Sequence, residues 1–249
     1  MQRAILAHLS QSGVFDAGVF QGGTALRLVY GNRRFSEDLD FVARSSVPAF
    51  VQQVSASLEM LPQAVARSVS YLDDARASPQ KVNGRLRRAA FRATVPPLHQ
   101  TLRINLEFVA VPSHEARVAE VTRDCATYPV LAESLREIVA DKVVALALRP
   151  YVKGRDLWDL DFLPSPQLTR LKVADYGASW HDFATRFSER LALLPTVGAE
   201  ALAGDMPRFL AADAFQQPET DIPLLVQRIV NCLPQAVTEV PGPAQGLPR

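Results

Sequence analysis

Two aspartates one residue apart, Asp38 and Asp40, close a stretch that begins with a glycine turn, "FQGGTALRLVYGNRRFSEDLDFV", residues 20 to 42. In an extended strand successive side chains alternate faces, so residues two apart stand on the same side and their carboxylates converge. At about 5 Å and an effective dielectric near 20, two such charges repel by roughly 3 kcal/mol. A bound cation reverses that sign. Hard divalent ions such as Mg2+ or Mn2+ take oxygen ligands from one or two carboxylates and complete their shell with water and phosphate oxygens. Gly22 and Gly23 let backbone approach a phosphate closely. Thr24 is placed to cap a helix over "ALRLVY", whose N-terminus favours an anion. In "LRINLEFVAV" Ile104, Leu106 and Phe108 face one way and Arg103, Asn105 and Glu107 the other, which offers Glu107 as a third metal ligand on a neighbouring strand. Its alternative is an ordinary solvated strand residue.

A second group of charges lies in "LREIVADKVVALALR". There Leu135, Ile138, Val139 and Leu146 form an apolar stripe at helical spacing with Lys142 in its middle. The ammonium either reaches solvent along its own stem or points to an anion that offsets its desolvation. Arg149 follows on the same face, and a triphosphate would satisfy both. In "KGRDLWDL", Arg155, Asp156 and Asp159 fall on one helical surface, where an intrahelical salt bridge is the plain reading of Arg155 with Asp159. Between Ala75 and Leu106 stand seven basic residues, Arg76, Lys81, Arg85, Arg87, Arg88, Arg92 and Arg103, and no acidic one. Such a stretch suits phosphates or plain solvation equally.

The elements that must position these residues are of two kinds. The spacing predicts a helix over residues 2 to 10, a brief strand or turn at "VFQGG", a central strand at "EDLDFVA" and a helix from Val47 to Leu61. Strands are predicted over 65 to 73, 85 to 95 and 100 to 110. From about Ala132 the period becomes helical, with "ESLREIVADKVVALALR", "DLWDLDFL", "WHDFATRFSERLALL" and "PLLVQRIVNCL" separated by Pro and Gly. The expected fold is α/β (α+β): a small mixed β-sheet lobe at 1–128, a helical lobe at 129–237 and a mobile tail at 238–249.

The chain has 249 residues, 48% hydrophobic and 21% charged, with a formal net charge of +1. That balance gives no general attraction to polyanions, so any such attraction must be local. Cys125 and Cys232 lie far apart and fit neither a zinc site nor a disulfide framework. His8, His99, His114 and His181 are scattered and carry no nucleophile pattern. No signal peptide or membrane-spanning stretch is read in the sequence, so a cytoplasmic location with no membrane partner is expected.

The stretch "GGTALRLVYGNRRFSEDLDF" resembles motif I of the nucleotidyltransferase superfamily, and in particular the AbiEii/AbiGii-type toxins, whose relatives include the MenT-type toxins. Thr24 stands where many nucleotidyltransferases have Ser. Glu137, Lys142, Arg149, Arg155, Asp156, Asp159 and Leu160 resemble the later motifs of the same family, in the same order, so the resemblance spans roughly residues 15 to 162. It implies a nucleotidyltransferase-like fold whose helical lobe closes over the nucleotide, and transfer of NMP from an NTP by a two-metal route with Mg2+ or Mn2+. Asp38, Asp40 and Glu107 would hold metal, with Glu107 alternatively accepting the acceptor proton. Gly22, Gly23, Thr24, Ser36, Arg149 and Arg155 would bind nucleotide, Lys142 would neutralise the leaving group, and Asp156 or Asp159 would hold the nucleotide or assist the acceptor. The implied acceptor is RNA, tRNA 3' ends by similarity to MenT-type proteins, with Arg85, Arg87, Arg88 and Arg92 as contacts. The implied partner is a separate antitoxin. Rival readings are transfer to a small molecule or a protein side chain, or a nucleotide- or RNA-binding regulator without turnover.

Overall fold

A computed structural model describes residues 1–44, 47–82, 86–163, 170–211 and 221–236. Its contacts divide the chain into a sheet unit, Met1–Gly31 with Phe35–Ser134, and a helical unit, Asn32–Arg34 with Leu135–Arg249.

The sheet unit opens with helix α1 (Gln2–Gln11), which buries Ile5, Leu6 and Leu9, and the single turn α2 (Val14–Ala17). Strand β1 (Gly18–Gln21) leads directly into helix α3 (Gly22–Leu28), and β2 (Leu39–Ala43) pairs antiparallel with β1. After α4 (Val47–Ser68) come β3 (Asp73–Val82), β4 (Leu86–Val95), β5 (Gln100–Pro112), β6 (Ala116–Arg123) and β7 (Ala126–Glu133). The strands form a seven-stranded mixed sheet in the order β3-β4-β5-β2-β1-β7-β6, with β2–β5 and β1–β7 parallel. One face carries the aromatic core. Phe20, Phe41 and Phe108 stand side by side on β1, β2 and β5, Phe41 stacks on Phe108 at 4.8 Å between ring centroids, and Phe50 of α4 meets Phe108 edge-on at 5.9 Å. Large buried rings in such pairs add to their area burial and fix which face of each strand is inward. Asp40, one residue from Phe41, is thereby turned to the other face.

Three expectations for this unit need correction. The helix expected to stop before Pro62 runs on to Ser68, so residues 65–73 are not a strand. Proline removes one intrahelical bond there, but Phe50, Val54, Leu61 and Val65 continue a buried stripe of helical period through it. Thr24 does not cap α3, which starts two residues earlier with Gln21 as its cap. The boundary drawn at 128/129 falls inside β7, and the division of contacts comes after Ser134 instead. Strands β3, β6 and β7 go beyond the sequence expectation. β6 and β7 are joined by a two-residue turn, Asp124 and Cys125, both at positive φ (47° and 63°), a mirror-image turn more often built from Asn-Gly.

In the helical unit, α5 (Leu135–Leu148), α6 (Gly154–Phe162), α7 (Arg170–Asp175), α8 (Trp180–Asp205) and α9 (Ile222–Ala236) follow in order. Ser179 caps α8 by accepting from the Asp182 amide at 3.0 Å. α8 continues through Pro195 because Leu194, Gly198 and Leu202 bury one face on both sides of it. Gly154 lies so close to α8 that an added Cβ would stand 2.1 Å from the Ala201 carbonyl oxygen. Among the described residues no helix is long and apolar enough to cross a membrane. The tail at 238–249 lies outside the described residues.

Candidate active site

Strand register builds the first constellation. Asp40 of β2 is opposite Gln21 of β1 on one side and Glu107 of β5 on the other, and Glu107 is opposite Arg88 of β4. Register partners share a face, so Gln21, Asp40, Glu107 and Arg88 form one row across four strands. Asp38 precedes β2, and its Oδ1 accepts from Asn105 Nδ2 at 2.8 Å. Asn105 lies two residues from Glu107 and thus on the same face. Thr24, fully buried, donates its hydroxyl to the Asp38 carbonyl. Its hydroxyl therefore anchors the strand entrance that carries the acids.

Gly22 explains the glycine turn. Its φ is +76°, and a Cβ there would stand 2.5 Å from Asp40 Oδ2. Any side chain would be strained by the backbone and would displace the carboxylate. Gly23 is buried within α3, and Ser36 presents its carbonyl to Gln2 Nε2 at 2.7 Å. Among the described residues no group of three or more His, Cys, Asp or Glu is gathered to hold a metal ion. Asp38 and Asp40, with the cradle at Gly22, fit an ion of the magnesium type, which needs only one or two protein carboxylates when phosphate oxygens complete its shell. Glu107 is engaged elsewhere, its Oε2 accepting from Arg88 Nε at 2.5 Å. That pair, together with Asp38 and Asp40, raises the pKa of Arg88.

The second constellation belongs to the helical unit. Lys142 of α5 donates to Asp156 Oδ1 at 2.8 Å and lies 2.9 Å from Asp159 Oδ2, and Arg149 also donates to Asp156. Burial pushes the Asp156 carboxyl upward, but Lys142 and Arg149 outweigh it and hold the pKa at about 2. Burial likewise lowers the Lys142 pKa, and Asp156 and Asp159 more than restore it, so its net shift is upward. Asp156 and Asp159 share Lys142 but differ in their other partners. Asp159 is wholly buried and receives both Nε and Nη2 of Arg34, at 2.5 and 2.6 Å, and Asn32 Nδ2 at 3.0 Å. Trp158 Nε1 donates to Asn32 Oδ1 at 3.1 Å.

The expected Arg155–Asp159 bridge is replaced by these contacts, while the Arg155 guanidinium lies over the Phe209 ring at 5.7 Å. Lys153 was not singled out in the sequence. Burial, then Arg149 and Arg155, lower its pKa, which marks a group of like charges. Glu137 pairs with Lys172 at 2.8 Å, and Lys172 also meets Asp141 at 2.9 Å.

The basic stretch is split by strand alternation. Arg76, Arg92 and Arg103 are directly opposite one another across β3, β4 and β5, and Lys81 is opposite Arg88. All five share the face of Asp40 and Glu107. Arg87 is on the aromatic face and donates to Ser55 Oγ of α4 at 2.9 Å. Arg85 lies outside the described residues.

A mixed sheet that presses a Gly-Gly turn onto an Asp-x-Asp strand end has a nucleotidyltransferase-like fold. Two solved structures from Helicobacter pylori share it at low identity. The crystal structure of JHP933 is 19% identical with a TM-score of 0.55, covering 93% of this chain and 91% of that one. The crystal structure of a putative nucleotidyltransferase is 20% identical with a TM-score of 0.54, covering 93% and 94%. No curated protein matches the chain significantly. The family model described as nucleotidyl transferase AbiEii toxin, type IV toxin–antitoxin system, matches residues 4–226, and the chain belongs to that family.

Proposed function

We propose that the protein transfers NMP from an NTP to an RNA acceptor, a tRNA 3' end by family resemblance, and acts in the cytoplasm as the toxin of a toxin–antitoxin pair. The observation that carries the reading is the contact of Gly22 with Asp40: a turn that tolerates no Cβ is pressed against a carboxylate paired in sequence with a second one. Such a carboxylate pair suits Mg2+ or Mn2+, which when bound would neutralise charge on the phosphates. Asp38 and Asp40 are the residues that would hold it, with Asn105 and Thr24 fixing Asp38. Gly22 and Gly23 provide close backbone approach for the triphosphate, with Ser36 as a further contact by family resemblance. In the helical unit Arg149, Lys153 and Arg155 concentrate positive charge for an anionic nucleotide, with Asp156 holding both Arg149 and Lys142. The acceptor hydroxyl attacks the α-phosphorus, loses its proton, and pyrophosphate leaves. The chemistry is chiefly positional and electrostatic.

RNA as acceptor is supported by Arg92 and Arg103, opposite each other on β4 and β5, while Arg76 beside them is paired with Asp74 at 2.6 Å. Like charges directly opposite on neighbouring strands repel, and a phosphate backbone would relieve them. This pair lies two same-face steps from Glu107, about 13 Å at the rise of a strand.

The test is incubation of purified protein with each α-labelled NTP, a divalent cation and, in turn, total tRNA, candidate small molecules, and no added acceptor. Label in tRNA that disappears with Asp40→Ala is expected. Label in a small molecule or in the protein itself would replace the acceptor, and nucleotide binding with no transfer under any condition would refute the enzyme. Co-expression with the neighbouring reading frame, expected to relieve growth arrest, tests the antitoxin partner.

A further inference from the structure

Residues 149–153, which join α5 to α6, carry a large aromatic side chain that the proposed function leaves without a role. Tyr151 is 59% exposed, and the Lys153 ammonium stands over its ring at 5.7 Å from the centroid. The backbone under it is pinned at both ends to α8. Arg190 donates from Nη2 to the Arg149 carbonyl at 2.7 Å, and Gly154 lies so close to the Ala201 carbonyl that no Cβ fits. The Lys153 carbonyl accepts from the Asp156 and Leu157 amides at 3.0 and 3.3 Å, which ties the loop into the first turn of α6. Pro150 fixes its own φ. A ring of this size contributes most when its apolar surface is covered, yet here a pinned loop holds it out to solvent.

The charges around the ring point to what covers it. From Arg149 to Arg155 the chain has no acidic residue. Arg149 is 40% exposed and shares Asp156 with Lys142, while burial, then Arg149 and Arg155, hold the Lys153 pKa down. A polyphosphate alone would need only these cations. A nucleotide also brings a flat π-face, joined to its phosphates through a ribose, and 5.7 Å from ring centre to ammonium matches the span of that ribose. We infer, resting on the nucleotide-binding part of the proposed function, that Tyr151 is the base platform of the helical unit: it stacks on the nucleobase of the incoming NTP while Arg149 and Lys153 meet the phosphates. The base takes the ring face that Lys153 does not cover. Stacking of this kind holds any of the four bases, because each has a π-face, and a platform ordered in advance loses little freedom on binding.

Calorimetric titration of the full chain with each NTP and, separately, with inorganic tripolyphosphate, without divalent cation, separates base from phosphate. Tyr151→Ala is expected to weaken every NTP by about tenfold or more and to leave tripolyphosphate within about twofold of wild type. Tyr151→Phe keeps the ring and should stay within about threefold of wild type for both. Lys153→Gln should weaken NTP and tripolyphosphate alike. An unchanged NTP affinity in Tyr151→Ala would overturn the inference, as would an equal loss for tripolyphosphate or a loss in Tyr151→Phe as large as in Tyr151→Ala. So would a loss in Tyr151→Ala confined to tRNA, titrated alongside, since the ring would then be an acceptor contact. The expected affinities with no nucleotide transfer to any acceptor would instead sink the proposed function and leave the role of Tyr151 intact.

Discussion

Asp159 and Asp161 provide an internal comparison, because α6 carries two Arg–Asp pairs of the same geometry two residues apart. Arg34 reaches Asp159 through Nε and Nη2 at 2.5 and 2.6 Å, and Arg228 reaches Asp161 through the same atoms at 2.8 and 2.6 Å. Burial separates them. The side chains of Arg34 and Asp159 are 2% and 0% exposed, whereas those of Arg228 and Asp161 are 42% and 21% exposed. Asp159→Asn preserves volume but removes the buried carboxylate that holds the Arg34 guanidinium and lies 2.9 Å from Lys142, a change that costs about 3–5 kcal/mol in such settings. Asp161→Asn breaks a solvent-screened pair and costs under about 1 kcal/mol. At about 2–4 °C per kcal/mol for a chain of this size, calorimetry should show the helical unit's transition falling by roughly 10 °C in the first variant and by no more than about 3 °C in the second. Equal shifts would refute the claim that burial, rather than bidentate geometry, sets the contribution of these pairs.

Gly22→Ala should disrupt divalent-ion binding with little effect on the melting of the helical unit. The added Cβ must displace Asp40 Oδ2 from 2.5 Å, and Mn2+ titration reads the loss directly. The helical unit should lose about 2 kcal/mol of stability as pH falls from about 4 to 2. The Asp156 carboxylate, held at about 2 against an ordinary 3.8, contributes fully above its unfolded pKa and is lost as it protonates. Asp156→Asn should flatten that part of the denaturation profile. Arg92→Ala and Arg103→Ala should each lower by about one the salt dependence of RNA binding, read as the slope of log K against log salt. Arg87→Ala, on the aromatic face with Ser55, should leave the slope unchanged.

The glycine turn and the face of Asp40 were legible because they depend on local rules, whereas Asp38, expected on the strand, lies just before β2. Alternation fixes which strand residues share a face, and the φ of +76° at residue 22 together with Asp40 Oδ2 at 2.5 Å from any Cβ there favours glycine. The same alternation separates Arg87 from Arg88 and Arg92, but this becomes visible only once the register of β4 against β5 is known. Helix ends at Pro62 and Pro195 were misread because proline is a local signal and the buried stripes that override it are tertiary. The β6–β7 hairpin was hidden by an Asp-Cys turn without glycine or asparagine. Asp159 shows the strongest limit. On its own helix Arg155 is four residues away and suggests itself as partner, yet the partners come from residues 34 and 142, which no helical spacing can reveal.

The charges gathered in each unit match the ligands proposed for it. In the sheet unit Asp38, Asp40 and Glu107 gather near Arg88, which holds Glu107, and the two aspartates are the ones proposed for a divalent ion. In the helical unit Asp156 and Asp159 stand against Arg34, Lys142, Arg149, Lys153 and Arg155, an excess of three positive charges. The two aspartates are spent on the most buried cations, Arg34 and Lys142, while Arg149 is 40% exposed and Lys153 has its pKa lowered by burial and its cationic neighbours. A buried charge must be paired, whereas an exposed excess persists only at the cost of mutual repulsion. The aspartates thus pair the charges that folding could not tolerate, and the remaining partly buried cations are the ones proposed to meet a polyphosphate. Asp156 joins the two groups by accepting from Lys142 and Arg149 together.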